Sequence, residues 1–127
     1  MDRREVLQAG VAVLVGAAGA ASPAAARQAR PGSQSKPLGA HPLGTSFEGW
    51  QGTMIEVTYP PGAESASHQH PGPTFGYVVR GKIRWAINGE APRVLEAGQS
   101  FFEPMGAVHS TAANASDTEP AVIMAVI

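Results

Sequence analysis

Two histidines one residue apart, His68 and His70, sit in Gly62-Ala-Glu-Ser-Ala-Ser-His68-Gln-His70-Pro-Gly-Pro-Thr74-Phe-Gly-Tyr77-Val-Val-Arg-Gly81, a stretch bracketed by glycines. Extended backbone sends residues i and i+2 to one face, so both imidazoles would aim at a common point. A third histidine, His109, ends Gly98-Gln-Ser-Phe-Phe-Glu103-Pro104-Met-Gly106-Ala-Val-His109, which carries its own turn residues. Neutral imidazole is the commonest protein ligand for divalent transition metals. The chain has no cysteine, so a metal here must be held by histidine, carboxylate or carbonyl rather than by thiolate. The pattern predicts that His68, His70 and His109 meet around one transition-metal ion inside a small β-barrel.

Other polar residues near these segments are weighed against the plainer reading. Glu103, at a strand end before Pro104, is expected to be solvated, with an inward carboxylate ligand or general base as the alternative. Glu64, in the loop before the pair, is expected at the surface. Gln69 lies between the ligands and points the other way on strand geometry. Thr74 takes the inward parity of His68 and His70 if the strand is regular, although Pro71-Gly72-Pro73 interrupts it. There it would act on a metal-bound ligand or simply be a tolerated small polar residue. The fourth histidine, His41, stands in a polar, proline-containing segment and is expected to be solvated.

The elements that must carry these side chains are short strands. From Phe47 onward, apolar runs alternate with Gly, Pro and Asn, the pattern of an all-β sandwich or barrel. Strands are predicted over 53–59, 75–80, 82–87, 93–96, 100–103, 108–112 and 121–127. Within Lys82-Ile-Arg-Trp-Ala-Ile87, Ile83, Trp85 and Ile87 share one face and Lys82 and Arg84 the other, so one face is buried and one wet. Asn88-Gly89 is a type I′ turn signal, because both central residues need positive φ. Residues 114–120 read as a polar loop. Phe75, Tyr77 and Val79 share a face and become a self-association surface if that face is outward.

The 127 residues leave room for one such domain. A domain of ~100 residues buries on the order of 65% of its unfolded surface, enough for a modest core. The net charge of −1 and the lack of a basic run remove the electrostatic footprint of a nucleic-acid binder. Met1-Asp2-Arg3-Arg4, the uncharged Ala/Gly/Val segment from Ala9 to Ala21, and Ala24-Ala25-Ala26 form the three-part layout of an export signal, residues 1–26. Its apolar part is too short and glycine-rich to span a bilayer. Arg3-Arg4 with Leu7 is similar to the twin-arginine motif, departing from it at Val6 and Gln8, and an ordinary secretory signal is the alternative. The predicted location is periplasmic or extracellular, with no membrane contact after cleavage. Residues 27–46 hold Pro31, Pro37 and Pro42 among Gly, Ser and Gln, and read as a flexible leader.

With both histidine segments placed, the chain resembles the cupin superfamily in its small single-domain form. The first cupin motif, Gly-x5-His-x-His followed by Glu and Gly, matches at Gly62, His68, His70 and Gly81. The second, Gly-x5-Pro-x-Gly-x2-His, matches at Gly98, Pro104, Gly106 and His109, with Asn114 one residue late. The resemblance spans roughly residues 48–127 and implies a double-stranded β-helix, a jelly-roll barrel with the metal inside, over 47–127. It also implies a glutamate ligand where this chain has Thr74, a poor ligand because its hydroxyl stays protonated. The implied site is therefore three-histidine, as in cupins of the cysteine dioxygenase type.

For function, the residues and the resemblance together leave three expectations. One is a non-haem dioxygenase-like enzyme using Fe2+, with Mn2+, Zn2+ or Ni2+ as other candidates, and acting on a small organic anion. Another is a non-catalytic module that binds a metal or small ligand. A third is a zinc or manganese isomerase or lyase. A homodimer is expected. The fold does not choose among these, because cupins host all three.

Overall fold

The computed structural model describes residues 31–127. The signal expected over 1–26 and the start of the leader, 27–30, lie outside the described residues. Ten strands follow in order: β1 (Gln34–Pro42), β2 (Gln51–Tyr59), β3 (Glu64–Ser65), β4 (His68–Gln69), β5 (Thr74–Arg80), β6 (Lys82–Ile87), β7 (Arg93–Glu96), β8 (Ser100–Glu103), β9 (Val108–Asn114) and β10 (Ala121–Val126). A single 3-10 turn, Thr45–Phe47, is the only helical element among the described residues. One sheet has the order β1-β2-β10-β5-β8 and the other β3-β9-β6-β7, with β4 also paired to β9. Every ladder is antiparallel. This is an all-β fold of two sheets, as the alternating pattern predicts, and the jelly roll that the cupin resemblance implies.

Side-chain parity builds the interior. On β5, Thr74, Gly76 and Val78 face inward while Phe75, Tyr77 and Val79 face out. On β10, Ala121, Ile123 and Ala125 face inward. On β6, Ile83 and Trp85 are buried and Lys82 and Arg84 exposed, as expected. The core joins Tyr59, Val78, Ile83, Trp85, Leu95, Phe101 and Ile123. Asn88 and Gly89 have positive φ, 53° and 72°, as a I′ turn requires. The turn is closed by the Glu90 N–H, which donates to the Ile87 carbonyl at 3.0 Å, and it is also fastened to β9. The Asn88 N–H donates to the Val108 carbonyl at 2.8 Å, and the Val108 N–H donates to Asn88 Oδ1 at 3.0 Å.

Where the chain leaves β5 for the other sheet, Gly81 has φ 75°, and a Cβ there would lie 2.6 Å from the Pro120 carbonyl oxygen. Both the backbone region and the space favour glycine. Asn114, expected to open a polar loop, is instead the buried last residue of β9. Its Nδ2 group reaches the carbonyls of Tyr59, Pro60 and Glu119 at 3.1, 3.2 and 2.7 Å, and its Oδ1 accepts the Ser116 N–H at 2.8 Å. It closes the 114–120 segment against the end of β2.

One expectation is corrected. Much of the predicted flexible leader, 27–46, is strand: Gln34–Pro42 pairs along β2 from Gln34↔Thr58 to Pro42↔Gln51. The prolines are tolerated because β1 is an edge strand. Pro42 ends it, and Pro37 sits where the register shifts between Pro37 and Gly39. No alternation marks β1 in sequence because every residue but Gly39 is exposed, so no buried face exists to impose one. His41 lies on this strand and is exposed, as expected.

Candidate metal centre

β4 and β9 bring two of the three histidines together directly, since His68 and His109 are cross-strand partners. His70 follows β4 before the Pro71-Gly72-Pro73 bend. The ring centroids of His68 and His70 are 4.8 Å apart, those of His68 and His109 4.9 Å, and those of His70 and His109 6.4 Å. One ligand nitrogen from each lies within 4.8 Å of the others. The convergence predicted for His68, His70 and His109 is thus present. Trp85 and Phe101 pack behind it, 6.4 and 6.1 Å from the His109 ring, so the hydrophobic core backs the site.

Hydrogen bonds orient the rings. His68 Nδ1 is 2.7 Å from the Ala66 carbonyl oxygen, which can only accept, so Nδ1 carries the proton and Nε2 keeps its lone pair. His109 Nδ1 is 3.0 Å from Glu103 Oε1 and donates to that carboxylate, again leaving Nε2 with the lone pair. His109 Nε2, Thr74 Oγ1 and Glu103 Oε2 are all buried without a hydrogen-bond partner. Buried polar atoms are seldom left alone. Three of them on one cavity wall, beside the His68 and His70 rings, fit a divalent metal with its bound water or ligand. His68, His70 and His109 would hold the ion, and the donor set suits Fe2+, Zn2+, Mn2+ or Ni2+.

Glu103 corrects another expectation. It is not a solvated strand end but 2% exposed. On β8, Ser100 and Phe102 face outward and Phe101 and Glu103 inward. The sequence did not reveal this, because adjacent Phe101 and Phe102 make either parity look apolar. Thr74, 1% exposed, has the inward parity expected and stands directly across the β5–β8 ladder from Glu103. Oε1 of Glu103 also accepts from the Trp85 indole N–H at 3.3 Å, and Oε2 lies 3.4 Å from His70 Nε2. Glu64 is exposed, as expected. Gln69 is exposed too, and its side chain turns to donate to the Gly106 carbonyl at 3.0 Å.

These contacts set two titrations in the metal-free site. Burial pushes the Glu103 carboxyl up, but the His109 hydrogen bond and charge, the Trp85 N–H and His70 together hold it below its ordinary 4.5. Burial lowers His70 from 6.5; the Glu103 charge opposes this, and His68 and His109 reinforce it. For both groups the unfolded chain binds the proton more readily, so stability rises with pH through each window. The metal-free protein should therefore lose melting temperature on acidification, first from about pH 6.5 as His70 begins to favour the unfolded state, then near pH 4.5 through Glu103. Thermal melts of chelator-treated protein from pH 8 to 4 test this on the order of degrees. A melting temperature flat or rising toward acid would contradict it.

The histidines open onto a cavity of about 480 Å³. One side is apolar, with Ile55, Val57, Phe101, Ile123, Ala125 and Ile127. Another carries hydroxyls that the sequence did not single out. Ser33 Oγ is 2.7 Å from Ser65 Oγ, which donates to the Tyr59 hydroxyl at 3.2 Å. Burial is the main cause that raises the Tyr59 phenol above its ordinary 10, so it stays protonated. Ser33 precedes the edge strand read as leader, and no spacing linked it to the histidines. Among the described lining residues there is no Lys or Arg.

Several solved structures are similar to this chain in fold. KdgF from Halomonas sp. is 26% identical with a TM-score of 0.57, over 76% of this chain and 80% of that one. A putative mannose-6-phosphate isomerase from Ralstonia eutropha is 23% identical with a TM-score of 0.57, over 74% and 82%, and shares the fold. An oxalate oxidase is 28% identical with a TM-score of 0.52, over 59% of this chain and 41% of that one. No curated protein matches the chain. Residues 55–127, more than half of the chain and including both histidine segments, match the cupin domain family model, and the protein belongs to the cupin family.

Proposed function

We propose that this cupin is a three-histidine, non-haem metal enzyme of the dioxygenase type acting on a small organic anion. The observation that carries the reading is the convergence of three imidazoles at the wall of a 480 Å³ cavity that has no cationic side chain among its described lining residues. An anionic group entering such a cavity has no Lys or Arg to meet it, so it must be recognised at the histidine centre. A divalent metal held there supplies Lewis acidity and, as Fe2+, one-electron redox chemistry. The apolar wall seats the body of the substrate and excludes water. The Ser33–Ser65–Tyr59 hydroxyls offer hydrogen bonds to a polar substituent. Thr74 Oγ1, buried without a hydrogen-bond partner, would bond a ligand of the ion. The similarity to an oxalate oxidase supports oxidative chemistry on a small anion.

The test is the metal content of protein purified from its own host, followed by dioxygen uptake with a panel of diketones, thiols and catechols. Stoichiometric Fe2+ with uptake is the expected result. Zinc or manganese without uptake would overturn it in favour of an isomerase, a lyase or a binding module. The reading includes export, on the strength of residues 1–26, and N-terminal sequencing of protein from the periplasm or medium checks it.

It also includes a homodimer. Phe75, Tyr77 and Val79 are 60%, 44% and 50% exposed on the outer sheet face. Cross-strand pairing extends Phe75 to Phe102 on one side, and through Val126 to Met54 on the other. Such an uncharged row is self-complementary across a two-fold axis, and Glu56 and Lys36 beside it carry both signs. Light scattering should give twice the monomer mass, falling to the monomer in Tyr77→Lys. A wild-type monomer would sink the idea.

A further inference from the structure

A buried carboxylate touches two of the three proposed ligands. Glu103 Oε1 takes the His109 Nδ1 proton at 3.0 Å and the Trp85 N–H at 3.3 Å. Its Oε2 is buried without a hydrogen bond, 3.4 Å from His70 Nε2. Glu103 is also the cross-strand partner of Thr74, and both point inward. Opposed residues in an antiparallel ladder have Cβ atoms about 4.5–5.5 Å apart, so a glutamate side chain from either strand reaches nearly the same space.

We propose that Glu103 is the positioning residue of the metal centre and supplies, from β8, the negative charge that Thr74 cannot supply from β5. Through Oε1 it holds His109 as the Nδ1–H tautomer, with Nε2 toward the metal. A carboxylate on the far side of an imidazole raises its basicity and fixes its plane. Through Oε2 it sets one negative charge beside the cation that three neutral imidazoles would otherwise leave uncompensated. The bonds from Trp85 and His109 keep the carboxylate in this orientation. The centre thus has the composition of three histidines and one carboxylate, with the carboxylate moved one strand across. This inference rests on the reading of His68, His70 and His109 as metal ligands.

The experiment measures Zn2+ and Co2+ affinity of the full chain by competition with a chromophoric chelator, together with the visible spectrum of the Co2+ form. It compares wild type, Glu103→Gln and Thr74→Glu/Glu103→Gln, each checked for folding by circular dichroism. Glu103→Gln should bind about 10–100-fold more weakly, as loss of such a partner typically does, and its Co2+ bands should shift. The double variant should recover most of the lost affinity, which a merely structural role for Glu103 would not produce. Unchanged affinity in folded Glu103→Gln, or a double variant as weak as the single, overturns the inference alone. A wild type that binds no stoichiometric metal overturns the ligand reading and this inference with it. Should Glu103→Gln fail to fold, the imidazole nitrogen shifts of the zinc-loaded wild type decide. His109 should be protonated at Nδ1, and an Nε2–H form would refute the role.

Discussion

Replacing His68 and His109 together by alanine should abolish metal binding. Zinc-site energies of about 10–16 kcal/mol shared over four ligands amount to roughly 3 kcal/mol each. Losing two ligands therefore costs about 6 kcal/mol, on the order of 10⁴-fold in affinity. The two residues are cross-strand partners on β4 and β9, so the pair removes one side of the centre. His109→Ala also takes from Glu103 its closest donor, leaving a buried carboxylate with the Trp85 N–H and the more distant His70, so the variant should melt lower as well. His68→Ala separates the two effects. His68 is only partly buried and its ring hydrogen bond goes to a backbone carbonyl, so it should lose metal with little change in the melting of the metal-free protein. His41→Ala, exposed on β1, is the control and should bind metal as wild type does. Full metal occupancy in the double variant would end the case for this centre.

Gly76→Ala should be among the most damaging single-carbon additions in the barrel. Gly76 lies on β5 between Ala125 of β10 and Phe101 of β8. A Cβ there would collide with the edge of the Phe101 ring, at its Cζ and both Cε atoms. The ring has little freedom to withdraw. It is buried, lies 5.4 Å from the Trp85 ring, and forms part of the cavity wall next to His109. Overpacking of this kind costs about 1–3 kcal/mol and more where neighbours cannot move, so a loss of about 3 kcal/mol is expected in urea denaturation. Because Phe101 backs His109, metal affinity should fall too. Gly76→Ala/Phe101→Leu should restore most of the stability by giving the methyl group room. A Gly76→Ala midpoint equal to wild type would show that the ring has somewhere to go.

The same pair of strands explains why Thr74→Glu is instructive only in combination. Alone it sets a second carboxylate opposite Glu103 in a buried ladder position, where like charges destabilise each other. The gain in metal affinity that a glutamate at this position suggests from sequence should appear only once Glu103 is neutral. The two sites are in contact, so their effects should not add.

The barrel, most of its strands and the three histidines are legible along the chain. Alternation on β6, positive-φ residues at the turns and a His-x-His in extended backbone are local facts, and local geometry carries them into the fold. Three features arise only from long-range contact. Gln34–Pro42 becomes an edge strand, whose exposed residues leave no periodic trace because pairing to β2 uses only backbone. Ser33 meets Ser65 and Tyr59, joining hydroxyls that no short-range pattern links. And Glu103 turns inward, since Ser-Phe-Phe-Glu satisfies either parity until the β5–β8 register seats Phe101 against Gly76 and sets the carboxylate between Trp85, His70 and His109. A ligand's residue type and spacing can be read along a chain, but the groups that orient it come from whichever strands the ladder places beside it.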